Sequence, residues 1–256
     1  MSELLNYKLQ GKGPTVVLIH GLFGNLDNLG LLARELERDH QVLSMDLRNH
    51  GLSFHSNEHT YSAMADDVQQ LITSLELKNI TLIGHSMGGK VAIKLASQYA
   101  DNINKLIVLD MAPVAYIKRK HDNVFAGLQA VQATQPQTRV AAMEILAQHI
   151  ELDGVRQFLS KSLFRSETGF NWRFNVKSIM DNYNYILGWD RIEKTRIPTL
   201  FIKGGESDYL TQEQQPLIQA QFADAKAHVI ANTGHWLHAE KPQEVIRVIR
   251  RFLDKK

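Results

Sequence analysis

The sequence predicts an α/β fold: a mostly parallel central sheet flanked by helices, with one helical insertion. Three observations predict it. Short apolar, β-branched runs alternate with helical stretches through most of the 256 residues, the pattern of repeated β-α units. One run turns directly into a small-residue helix at Gly84-His85-Ser86-Met87-Gly88. The interval 111–197 breaks the alternation.

The strand candidates, in order, are Leu5 to Leu9, Thr15 to His20, Gln41 to Asp46, Ile80 to Gly84, Lys105 to Asp110, Pro198 to Lys203 and Ala227 to Ala231. The last reads as a short buried strand. Helices are expected over Asn28 to Glu37, Tyr61 to Leu75, Gly89 to Tyr99, Gln212 to Phe222 and Gln243 to Leu253. In the second, Met64, Val68, Leu71, Ile72 and Leu75 form one apolar stripe, the side that faces a sheet. The interval 111–197 contains no strand-like run and reads as helices around Asp122 to Ala133, Thr138 to Ile150, Val155 to Ser162 and Val176 to Leu187. The predicted division is therefore a core of 1–110 and 198–256, with 111–197 inserted as a helical cap.

The strand-to-helix turn at Ser86 has the G-x-S-x-G form of a nucleophile elbow, in which a strained turn lifts a serine hydroxyl clear of its neighbours. The flanking glycines leave room for that turn. A serine nucleophile needs a base, and the base needs an orienting acid, in chain order Ser, Asp, His. His235, after Gly234 and behind the last strand, stands where the base is expected. Two acids fall between them. Asp110 ends the apolar run Leu106 to Leu109, and Asp208 follows Gly204-Gly205-Glu206-Ser207 behind the next strand. The later strand carries the usual acid, three residues after its closing glycine. Counted from Gly204 that position is Ser207, a hydroxyl that cannot stabilise an imidazolium as a carboxylate does. Counted from Gly205 it is Asp208. Asp110 is preferred, with Asp208 the alternative. An oxyanion hole requires two backbone N–H groups. Met87 offers one at the start of the helix. Leu22, in His20-Gly21-Leu22-Phe23-Gly24, offers the other, with Phe23 its neighbour if the register shifts by one.

These motifs carry a resemblance. HGLFG at 20–24, DLRNHGLS at 46–53, GHSMGG at 84–89 and GHW at 234–236 resemble the α/β-hydrolase superfamily over nearly the whole chain. HGLFGNLDNL, LDMAPV, WRFNV and NTGHWLHAEKP look more closely like the small bacterial esterases of the YbfF type. The resemblance implies an α/β-hydrolase fold and hydrolysis of short or medium acyl esters, with acyl-CoA thioesters as a further class. In that subgroup the later acid position is not a plain Asp, which favours Asp110.

The global properties agree. A chain with 44% apolar residues can bury a full core as one domain. The absence of cysteine excludes disulfides and thiolate metal sites and fits a cytoplasmic, reducing setting. A net charge of +2 gives no case for nucleic acid. MSELLNYKLQ lacks a secretory pattern, and no apolar run nears the ~18 residues of a membrane span. No cofactor is expected, nor a metal at His50, His55 and His59. The expected partner is a small acyl ester or thioester. A cap would shape an apolar acyl site, with Phe23, Met111, Trp189 and Trp236 as substrate-binding candidates beside Tyr116, Phe125 and Tyr183. Lys118-Arg119-Lys120-His121, with Arg156, Lys161, Arg165 and Arg173, reads as a solvated basic face that could also meet a phosphate-bearing acyl carrier.

Overall fold

A computed structural model describes residues 3–254. The chain runs through β1 (Tyr7–Gln10), β2 (Thr15–Ile19), α1 (Gly30–Leu36), β3 (Gln41–Met45), α2 (Tyr61–Ser74), β4 (Ile80–His85), α3 (Met87–Gln98) and β5 (Ile103–Leu109). An intervening segment follows, with α4 (Asp122–Thr134), α5 (Arg139–Ala147), α6 (Asp153–Ser160), β6 (Leu163–Arg165), β7 (Phe170–Trp172), α7 (Val176–Asp181) and α8 (Tyr183–Leu187). The sheet then resumes with β8 (Thr199–Gly204), α9 (Gln215–Gln221), β9 (Ala225–Ile230), α10 (Leu237–Glu240) and α11 (Pro242–Leu253).

The seven-stranded sheet has the order β1-β3-β2-β4-β5-β8-β9. β1 is antiparallel to β3, and the other neighbours are parallel. Side chains alternate between two cores, as the strand period of two requires. Val17, Ile19, Leu82, Leu106 and Val108 join the cluster that includes α2 and α3. Val16, Leu18, Ile83, Ile107 and Leu109 join the cluster that includes α1 and α11. All six residues of β4 are buried, as expected for a parallel strand covered on both faces. In α2 the Thr60 hydroxyl caps the helix by accepting from Ala63 N, and Met64, Val68, Leu71 and Ile72 are buried.

The segment between β5 and β8 joins the core of the α2–α3 face. Phe125, Leu128, Leu146, Trp172 and Phe174 belong to the same apolar cluster as Val91 and Leu95 of α3. The segment is not wholly helical, contrary to expectation. β6 and β7 form an antiparallel hairpin, Leu163 opposite Trp172. Three-residue strands are too short to show alternation. The helix expected over Val176 to Leu187 breaks at Asn182, whose side-chain amide donates to the carbonyls of Asn57 and Ser178. β9 is an edge strand rather than a buried one, with Val229 54% exposed. Among the described residues, no helix is long and apolar enough to cross a membrane.

Candidate active site

The carboxyl ends of the parallel strands gather the predicted residues at one edge of the sheet, where open α/β sheets place their ligands. Ser86 sits between β4 and α3 at φ 54° and ψ −123°, a conformation costly for any residue with a side chain. The turn needs both flanking glycines. A Cβ on Gly84 would stand 2.2 Å from the Gly88 carbonyl oxygen, and one on Gly88 would stand 2.3 Å from that of Ile19.

Ser86 Oγ lies 2.8 Å from His235 Nε2, and His235 Nδ1 lies 2.7 Å from Asp110 Oδ2. With Nδ1–H donating to the carboxylate, Nε2 is free to accept the serine proton. Asp110 is fully buried. Its Oδ1 accepts from Gly204 N at 2.9 Å, and its Oδ2 also accepts from the Ser207 hydroxyl. Asp208 borders the same cleft without reaching His235: its carboxylate, 72% exposed, pairs with Lys120, and the hydrogen bond from Lys120 holds its pKa below the usual carboxylate value. The structure thus places Asp110, not Asp208, against His235.

Met87 is the first residue of α3, so its N–H has no intrahelical acceptor. Phe23 N donates to His50 Nε2 at 3.1 Å, whereas the Leu22 N–H meets no protein acceptor among the described residues. Of these two loop N–H groups, that of Leu22 is the one left available beside Ser86. Two buried histidines brace this loop. His50 donates Nδ1–H to the Arg48 carbonyl at 3.0 Å while accepting from Phe23. His20 donates Nδ1–H to the Gly21 carbonyl at 2.8 Å and accepts from Leu47 N at 3.1 Å. Burial lowers both pKa values, which keeps each ring neutral and able to accept.

Two cavities, of about 320 and 440 Å³, meet at Ser86. Met111, Tyr116 and Tyr183 line the first; Phe23 and Trp236 line the second. Trp189 lines neither. It packs on Tyr61, and its indole N–H donates to Gln221 Oε1 at 2.8 Å, so the expectation for Trp189 is corrected. Phe125 is also internal, packed on Phe23 and Tyr183. Of the basic run, Lys118, Lys120 and His121 border the first cavity, while Arg119 pairs with Asp122. Arg156 pairs with Asp153, and Arg173 lies over Phe164. In the interior the His50 ring meets that of His20 edge-on and that of His59 at a tilt.

Sequence reasoning missed four neighbours. Tyr209 stacks on the His235 ring at 4.0 Å between centroids. His85, the variable residue of the elbow, donates Nε2–H to the His235 carbonyl at 2.9 Å. Ser207, whose hydroxyl cannot replace a carboxylate, donates to the carboxylate of Asp110. Lys90, on α3, is buried and pairs with no carboxylate among the described residues. Its ammonium donates to the Gly188 carbonyl at 3.0 Å and lies over the rings of Tyr61, Tyr116 and Trp189 at 4.7–5.7 Å. Burial pulls its pKa down to about 7.

Comparison with known proteins places this geometry. Residues 14–242 match the alpha/beta hydrolase fold family. The chain is 46% identical over 245 residues to esterase YbfF of Escherichia coli (strain K12), covering 96% of this chain and 95% of that one. It is 45% identical over 258 residues to a putative esterase/lipase of Haemophilus influenzae, covering 99% and 89%. A solved structure titled marine microorganism esterase superposes with a TM-score of 0.94 at 36% identity, covering 98% of this chain and all of the other. By fold, family match and identity over nearly its whole length, the chain belongs to the α/β hydrolase fold family, among enzymes of the YbfF type.

Proposed function

We propose that the chain is a serine hydrolase of carboxylic esters, working through an acyl-enzyme on Ser86. The observation that carries this reading is the continuous hydrogen-bonded line from Ser86 Oγ through His235 to Asp110, at 2.8 and 2.7 Å. The esterase names of its relatives support the substrate class.

His235 Nε2 takes the hydroxyl proton as Ser86 Oγ adds to the ester carbonyl carbon. The N–H groups of Leu22 and Met87 stabilise the oxyanion, aided by the positive end of α3. The tetrahedral species collapses, the C–O bond to the alcohol breaks, and the alcohol leaves with the proton from His235. Water then adds to the acyl-Ser86 by the reverse of these steps, with His235 as base. Asp110 keeps Nδ1 protonated and stabilises the imidazolium in both halves. Residues 111–197 act as a cap that walls the cleft and excludes water. The same steps cleave a thioester.

The test is hydrolysis of p-nitrophenyl esters of rising acyl length, with acyl-CoA substrates in parallel and Ser86→Ala as control. Turnover abolished by Ser86→Ala is the expected result. Ester turnover that survives the substitution, or none at any length, overturns the proposal.

A further inference from the structure

The two cavities that meet at Ser86 share part of their walls and differ in two residues that matter for chemistry. Met87 borders only the first, with Met111, Ile186 and Leu187. His235 borders only the second, with Trp236, Val155, Phe158 and Leu159. Leu22 and Ser86 border both.

Consider the carbon after Ser86 Oγ has added. It carries Oγ, the oxyanion, the acyl carbon and the leaving oxygen. The oxyanion lies on the Leu22 and Met87 N–H groups. The leaving oxygen departs only if it receives the proton held on His235 Nε2, so it lies on the His235 side. The acyl carbon is left with the opposite, Met87 side. Resting on the ester-hydrolase reading, we infer that the 320 Å³ cavity holds the acyl group and the 440 Å³ cavity holds the alcohol. The substrate class is then an ester with apolar groups on both sides of its bond, the bulkier being the alcohol. Asn28, Asn123 and Glu151 on the second cavity suit an alcohol that also carries hydroxyl groups. The assignment also fixes the route of water. Once the alcohol has left, the second cavity is open beside His235, and the attacking water enters there while the acyl chain stays in the first.

The experiment uses two substrate series on the full chain: one alcohol with acyl groups of rising length, and one acyl group with alcohols of rising length. Leu187→Trp narrows the first cavity, and Val155→Trp narrows the second; both positions are half-buried. Leu187→Trp is expected to shorten the preferred acyl group and lower kcat/KM for the longest by at least tenfold, leaving the shape of the alcohol profile intact. Leu187→Ala, which needs no extra room, is expected to lengthen the preferred acyl group. Val155→Trp is expected to act on the alcohol profile and to leave the preferred acyl length intact. Crossed effects, or both profiles moving together in each variant, overturn the assignment while ester hydrolysis stands. Absence of Ser86-dependent turnover in the unsubstituted chain overturns both.

Discussion

Replacing Asp110 by Asn tests the acid directly and without reshaping the site. Asp110 has φ 51°, a conformation that Asn tolerates well, and the two side chains are nearly isosteric. The hydrogen bonds then fix how the amide sits. Gly204 N donates to Oδ1, so the Asn oxygen must face Gly204. The NH2 group is turned toward His235 Nδ1 and the Ser207 hydroxyl. An NH2 donating to Nδ1 selects the tautomer with its proton on Nε2, which cannot accept from Ser86. The imidazolium also loses its carboxylate. At the 2.7 Å separation and an effective dielectric constant near 20, that attraction is roughly 6 kcal/mol. A loss of about 10⁴-fold in kcat, known for the equivalent change in a serine protease triad, corresponds to about 5.5 kcal/mol, so the two figures agree. Asp208→Asn removes only an exposed pair with Lys120, worth below about 1 kcal/mol, and should stay within about tenfold. The assay is kcat on a p-nitrophenyl ester for both variants, with thermal unfolding as a check on folding. A folded Asp110→Asn enzyme within tenfold of the unsubstituted chain, or a larger loss from Asp208→Asn, would refute the reasoning.

Three further outcomes are expected. Between about pH 7 and 10.5 the unfolded chain binds a proton at Lys90 that the folded chain does not, so the unsubstituted protein should gain stability over Lys90→Met as pH rises, by up to roughly 1.4 kcal/mol per unit. Urea unfolding of both proteins at pH 7 and 9 measures this, and a constant difference contradicts it. On the acid side, burial lowers the pKa values of His20, His50 and His85, and takes His59 to about 3 and His238 to about 4. The unfolded chain therefore binds more protons as pH falls below about 6.5, and stability should drop from pH 7.5 to 5.5; equal urea midpoints would be the contrary result. Gly88→Ala forces a Cβ against the carbonyl oxygens of Ile19 and His20. It should cost about 1–3 kcal/mol and lower kcat more than tenfold by separating Met87 from the His20–Phe23 loop, as calorimetry and steady-state kinetics would show.

The parts of the fold that a backbone rule dictates were legible in the sequence. The elbow showed because its glycines answer a steric demand within five residues. The sheet showed because buried parallel strands leave continuous apolar runs. His235 showed because it follows a glycine in the loop behind the last strand, at the carboxyl end of the sheet. What was not legible depends on partners distant in sequence. Asp110 and Asp208 both follow strands, and local pattern alone does not separate them. The separation comes from Gly204 N and the Ser207 hydroxyl, both more than ninety positions from Asp110. Trp189 looked like a substrate contact because an aromatic ring in the insertion is equally suited to core or cleft. Its indole N–H found Gln221, 32 positions away, and so turned from the cleft. The β6–β7 hairpin was invisible because three residues a side carry no measurable period.

Ser207 connects the ambiguity to the chemistry. The residue three after Gly204, where a carboxylate is usual, is a hydroxyl, and it donates to Asp110. The carboxylate against His235 stands at the end of β5, and the residue three after Gly204 supplies a hydrogen bond to it. Backbone strain gathers at the same site. Phe23, Ser86 and Asp110 all have positive φ, at 61°, 54° and 51°. Glycine would relieve each, but Ser86 and Asp110 need their side chains. The strain is therefore retained where a strand must end and turn a functional group into the cleft. It is held by neighbours: Ser86 N donates to the Leu109 carbonyl at 3.0 Å, Asp110 N to that of Ile202 at 2.8 Å, and Phe23 N to His50. Each clamp comes from an adjacent strand end or a buried ring, so the sheet itself opposes relaxation of the site. Loosening one of them should cost geometry at Ser86 before it costs the fold.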